Sequence, residues 1–138
     1  MIPVITSPEN YKKQLETYQY NQVLKIGNQI KISGQGGWSS LEDGYRFDYK
    51  THDEEIEQAF KNIEHVLNTV GSSWKDVYDV TSYHVNMSDN TEIIYTKIPD
   101  LFKKYIGERA PLWTSVGVTS LAEKKMHIEI VVHAYTNN

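Results

Sequence analysis

One stretch near the end of the chain restricts the fold more than any other. From residue 126 the sequence reads Met-His-Ile-Glu-Ile-Val-Val-His-Ala-Tyr, with apolar residues at alternate positions. Met126, Ile128, Ile130, Val132 and Ala134 point one way, and His127, Glu129, Val131, His133 and Tyr135 point the other. That period belongs to a strand with one buried face. Residues 112–118 are also strand-like, with Leu112, Thr114, Val116 and Val118 on one side and Trp113, Ser115 and Gly117 on the other. Ala122-Glu123-Lys124-Lys125 reads as a hairpin loop joining the two strands. A solvated sheet face seldom needs Trp113 and Val131. The face carrying them with Glu129 and Tyr135 is therefore expected to pack on another layer or another subunit.

Upstream, residues 1–18 are polar with scattered apolar positions, and Pro3 and Pro8 argue against a continuous element. A loosely ordered N-terminal arm is the expectation there. Gly27-Asn28 separates two β-prone runs and predicts a hairpin. Its second strand ends in the glycine-rich bend Gly34-Gln35-Gly36-Gly37, which is either a plain loop or a place where a ligand approaches the backbone. Residues 38–49 have the composition of a surface loop. Thr51-His52-Asp53-Glu54 matches a helix capping box. Behind it Ile56, Ala59, Phe60, Ile63, Val66, Leu67 and Val70 recur at helical spacing, and Gly71 supplies the stop. His65 falls on the polar side of that helix. A strand rich in Val, Thr and Tyr follows over residues 77–87, with both faces mixed, as in a central strand. Ser88-Asp89-Asn90 offers caps for a second helix carrying Ile94, Ile98, Leu101, Phe102 and Tyr105, in which Pro99 predicts a kink or restart. The order is strand, strand, helix, strand, helix, strand, strand. It predicts one α+β domain over residues 1–138, with a mixed sheet of five to six strands and two helices on one face.

The bulk composition excludes several functions. With 14 basic residues against 18 acidic ones the net charge is −4, so nothing attracts nucleic acid electrostatically. The absence of cysteine rules out disulfides and thiolate chemistry. No apolar run is long enough to span a bilayer and no secretory signal is evident, so a soluble, cytoplasmic protein with no membrane partner is expected. Ten tyrosines and three tryptophans point to aromatic-rich pockets or interfaces.

Several stretches taken together resemble the RidA/YjgF family, also called the reactive-intermediate deaminase or liver perchloric-acid-soluble protein family. They are Tyr20 seven residues before Gly27-Asn28, Ile32-Ser33-Gly34-Gln35, the helix over residues 53–71, Asp79-Val80-Thr81-Ser82-Tyr83-His84, and the finish over residues 111–134. The resemblance implies a chorismate-mutase-like fold and a homotrimer whose sheets form a central barrel. It also implies three small-molecule sites in the clefts between subunits, with no cofactor. In deaminase members a glutamate on the last strand positions the hydrolytic water; it matches Glu129. A tyrosine and the Ser-Gly-Gln backbone that help shape the pocket match Tyr20 and Gly34, and a cysteine position is Ser115. An arginine that binds the substrate carboxylate is replaced by Trp113. An indole offers one neutral donor where a guanidinium offers a charged fork, and Arg109 lies four residues too early to replace it. Trp113-Thr114-Ser115-Val116-Gly117-Val118-Thr119 is similar to a YjgH-like branch that also carries tryptophan there.

Glu129 thus reads as a water-positioning group or as an ordinary charge on a sheet face. Trp113 either stacks on a flat ligand or plugs a disused pocket. Ser115 has no assigned base that would make it a nucleophile. His84, His127 and His133 lack short metal-ligand spacing, so no metal is expected and interface hydrogen bonding is preferred. The candidate substrate is a small imine or enamine metabolite, and efficient 2-aminoacrylate deamination is not expected without the arginine. A non-catalytic metabolite-binding protein of the same fold is the alternative; ribonuclease activity is disfavoured by the charge.

Overall fold

The protein is described by a computed structural model covering residues 2–42 and 44–137. Six strands form one mixed sheet: β1 (Val4–Thr6), β2 (Val23–Ile26), β3 (Gln29–Ile32), β4 (Val77–Val85), β5 (Leu112–Val118) and β6 (Ile128–Tyr135). Their spatial order is β1-β2-β3-β6-β4-β5. Three α-helices accompany them: α1 (Lys12–Tyr18), α2 (His52–Asn68) and α3 (Thr91–Tyr105).

The alternation in β6 survives intact. Met126, Ile128, Ile130, Val132 and Ala134 are each at most 2% exposed. They face α2, whose Ile56, Ala59, Phe60, Ile63, Val66 and Leu67 form the opposing wall. Helix α2 begins as its capping residues dictate. The Thr51 hydroxyl accepts the Glu54 amide at 3.3 Å, and Glu54 reaches back to the Lys50 amide at 2.7 Å. Its polar side leaves His65 exposed, bonded to Asn10. The β2–β3 hairpin closes through Gly27-Asn28 with Ile26 opposite Gln29. Gly27 takes φ +58°, which its missing Cβ permits.

Four expectations are corrected. Strands β5 and β6 do not form a hairpin: β4 lies between them, antiparallel to β6 and parallel to β5. Interposing β4 buries its Val80, Ser82 and His84 under the helices while both of its edges are paired, which a terminal hairpin would not achieve. The N-terminal segment is not a loose arm, because β1 pairs with β2 and Tyr11 is 2% exposed. Pro8 caps the short 3-10 turn that leads into α1, so the prolines punctuate structure rather than prevent it. Residues 38–49 do not merely cover the surface, since Trp38 and Leu41 plug the core. Helix α3 continues through Pro99 without a restart.

A buried polar network holds the N-terminal segment down. Tyr11 donates to Gln35 Oε1 at 2.6 Å, and Trp38 Nε1 donates to the Tyr11 hydroxyl at 3.1 Å. Gln35 Nε2 donates to Gln22 Oε1 at 2.6 Å and to the Ser33 carbonyl at 3.1 Å. Burial raises the Tyr11 phenol well above its ordinary pKa, so it stays a donor. This network anchors the glycine-rich bend from below.

Candidate functional site

The bend over residues 34–37 runs beside the start of β6. Gln35 and Ile130 exchange both backbone hydrogen bonds at 2.9 Å. Gly34 then lies under Glu129. A Cβ at position 34 would come within 2.8 Å of Glu129 Cδ and 3.1 Å of Oε2. Glycine is needed here for closeness, as the carboxylate occupies the space a side chain would take. Glu129 is half-buried on the sheet face away from the helices. Among the described residues its carboxylate has no hydrogen-bond or ion-pair partner. Burial pushes its pKa above the usual carboxylate range.

Tyr20 sits between α1 and β2 and is 39% exposed, its hydroxyl 3.4 Å from that of Tyr45. Tyr45 in turn packs on Trp38 with ring centroids 5.0 Å apart. The Ser33 hydroxyl donates to the Asn21 carbonyl at 2.8 Å, which brings the Tyr20 segment beside the bend.

Trp113 and Ser115 lie elsewhere, against the expectation that they share a face with Glu129. The register pairs Trp113 with Val80 and Ser115 with Ser82, both helix-facing residues of β4, whereas Glu129 pairs with Tyr83. Paired residues in a sheet share a face. Trp113 therefore lies under α3, edge-on to Phe102 at 5.5 Å and 5.0 Å from the Tyr95 ring. Its Nε1 donates to Ser82 Oγ at 2.9 Å. Ser115 Oγ shares a hydrogen bond with the Tyr95 hydroxyl. Within one chain Gly34 and Glu129 come together, the Tyr20 hydroxyl turns to Tyr45, and Trp113 and Ser115 occupy the far side of the sheet at its β5 edge.

Beneath Trp113 the Ser82 hydroxyl also meets His84 Nε2 at 2.7 Å. Burial depresses the His84 pKa from 6.5 to about 4. Above pH 6.5 the ring is neutral whether folded or unfolded and contributes no pH dependence. As pH falls from 6.5 toward 4 the unfolded chain binds a proton that the folded chain refuses, and stability drops. The full shift corresponds to roughly 3 kcal/mol. Urea unfolding at pH 7 and pH 4.5 should show this loss, and His84→Asn should remove about one proton's worth of the slope; an unchanged slope would mean that the ring is solvated.

One functional-looking group escaped the sequence reading. Glu55, in the first turn of α2, is 0% exposed. Its Oε2 accepts the amides of His127 at 2.7 Å and Ile128 at 3.2 Å. A glutamate among first-turn acids looks like a solvated cap residue, and only the packing of residues 126–128 against α2 shows otherwise.

The chain matches the family model described as "Endoribonuclease L-PSP" over residues 12–136. It is 31% identical over 115 residues to RutC family protein YjgH of Escherichia coli strain K12, covering 83% of this chain and 82% of that protein. A 2-iminobutanoate/2-iminopropanoate deaminase of Dermatophagoides farinae is 26% identical over 121 residues, covering 82% and 84%. A solved structure of protein YjgH superposes with a TM-score of 0.81 at 28% identity, covering 100% of this chain and 99% of that one. Six strands in the order described, backed by helices and matched along nearly the whole length, make this chain a member of the RidA/YjgF family, whose model carries the endoribonuclease L-PSP description.

Proposed function

We propose that the protein is a cytoplasmic homotrimer with a small-metabolite pocket at each subunit boundary, related to the imine and enamine deaminases. The observation that carries this reading is the half-buried Glu129 carboxylate over Gly34, without a partner among the described residues, on a sheet face that the helices leave open. A carboxylate held this way is suited to orient a water and accept its proton while an imine carbon is attacked. The open face also carries apolar groups, with Ile5 62% and Leu112 69% exposed and Leu24, Val116 and Val131 half-buried. A surface of that kind is a reason for copies of the chain to associate through their sheets. Trp113, on the opposite face at the β5 edge, can join Glu129 in one cleft only if a neighbouring subunit brings it there.

Trp113 decides the substrate class in this reading. Its ring is wedged between α3 and the sheet and supplies no positive charge, so a carboxylate-anchored substrate such as 2-aminoacrylate has no anchor. A less anionic or more aromatic imine is the better fit. The packing of Trp113 against Tyr95 and Phe102 equally favours a second reading, a metabolite-binding protein whose anchor pocket is filled. The acidic net charge stands against ribonuclease activity.

Sedimentation velocity together with ammonia release from a panel of amino-acid-derived imines tests the proposal. A trimer with turnover on at least one imine is the expected result. A trimer that is stabilised by a metabolite without product would favour the binding reading, and a monomer would remove both. Trp113→Arg in a folded trimer is expected to gain activity on 2-aminoacrylate while melting at a lower temperature.

A further inference from the structure

Among the described residues the buried Glu55 has no lysine or arginine within ion-pair distance. The charged or chargeable groups within ion-pair distance are imidazoles: His127 Nδ1 lies 3.1 Å from Oε1 and His52 Nδ1 lies 3.9 Å from it. Neutral imidazoles supply no charge, and a carboxylate removed from water needs one. The geometry around it is tight. A Cβ at Gly37 would come within 2.5 Å of the Glu55 carbonyl oxygen, so the bend closes directly over this residue. The His52 and His127 rings meet edge to face at 4.7 Å. The Tyr49 hydroxyl is 3.2 Å from His127 Nδ1 and also bonds the Lys125 carbonyl.

We infer that His52, Glu55 and His127 form a binding site for a divalent transition ion of the zinc class. One ligand atom from each already lies within 4.8 Å of the others. Bonds of 2.0–2.1 Å in tetrahedral geometry place donors roughly 3.3 Å apart. His127 and Glu55 are at that spacing, and His52 Nδ1, 3.9 Å from Oε1 on a side chain a third exposed at the start of α2, has room to swing closer. The division of labour on Glu55 fits as well. Oε2 is held by two backbone amides, which orients Oε1 toward the imidazoles as an outer-shell partner would. Two nitrogens and one carboxylate oxygen favour zinc, cobalt or nickel over magnesium and calcium, which require oxygen-rich shells. Tyr49 or water completes the coordination. The ion would fasten two segments that meet only in the fold, the start of α2 and the entry to β6.

Chelator-stripped protein titrated with zinc chloride by calorimetry tests this, with cobalt absorption as a second readout. One ion per chain, cobalt d–d bands and a zinc-dependent rise in melting temperature are expected. His52→Ala should weaken binding at least tenfold, abolish the melting shift and leave the circular dichroism unchanged. Magnesium should do nothing. No zinc heat above buffer would overturn the site. Zinc binding equal in wild type and His52→Ala would also overturn it, by locating the ion elsewhere. Glu55→Gln, if folded, should lose the cobalt bands.

Discussion

Replacing Glu129 by glutamine is expected to lower imine hydrolysis by about 10²- to 10⁴-fold, the usual worth of a positioned general acid–base group. The amide keeps the shape of the side chain over Gly34 but cannot take a proton from water. Because the carboxylate has no partner among the described residues, the change removes no ion pair. Its half-buried position makes the neutral amide no worse than the charge it replaces. The melting temperature should therefore hold or rise slightly while turnover collapses. Ammonia release measured with the best imine from the panel, beside a thermal melt of the same preparation, separates these effects. Retention of activity within twofold would reduce Glu129 to an ordinary charge on a sheet face.

Trp74→Ala is expected to be the most destabilising single truncation in the core. Trp74 is 0% exposed and stacks on Phe60 with centroids 4.4 Å apart and planes within 12°. It also contacts Phe102 and Tyr105. Its indole donates to the Phe60 carbonyl at 2.9 Å. Truncation leaves a large cavity at the junction of α2 and α3 and removes that hydrogen bond. A loss of about 3–5 kcal/mol follows from comparable truncations, lowering the melting temperature by on the order of 10 °C. Denaturant unfolding measures it directly. A loss below about 1 kcal/mol would mean that the two helices collapse onto the vacancy.

Neither Trp74 nor Glu55 announces itself in the sequence. Trp74 stands in Ser72-Ser73-Trp74-Lys75-Asp76, which has the composition of an exposed turn. Glu55 stands in an acidic first helical turn, where carboxylates usually face water. Both are buried because a distant segment arrives over them: α3 over Trp74, and residues 126–128 over Glu55. Trp38 and Leu41 repeat the pattern within a polar loop. Composition averages over neighbours in the chain, whereas burial is set by neighbours in space.

What the residue pattern determined alone is what short-range periodicity can encode. The inward face of β6, the capped amphipathic helix α2, the Gly27-Asn28 hairpin and the closeness of the family match were all legible before any coordinates. Pairing was not. Alternation shows that Trp113 and Thr114 point opposite ways, but neither face of β5 is apolar enough to show which one turns inward. That choice was made by β4, which inserts between β5 and β6 and places Trp113 beside Val80 under α3. The same insertion separated Trp113 and Ser115 from Glu129 by the thickness of the sheet. Register between strands depends on contacts many residues apart, so only the tertiary structure decided which candidate residues share a face.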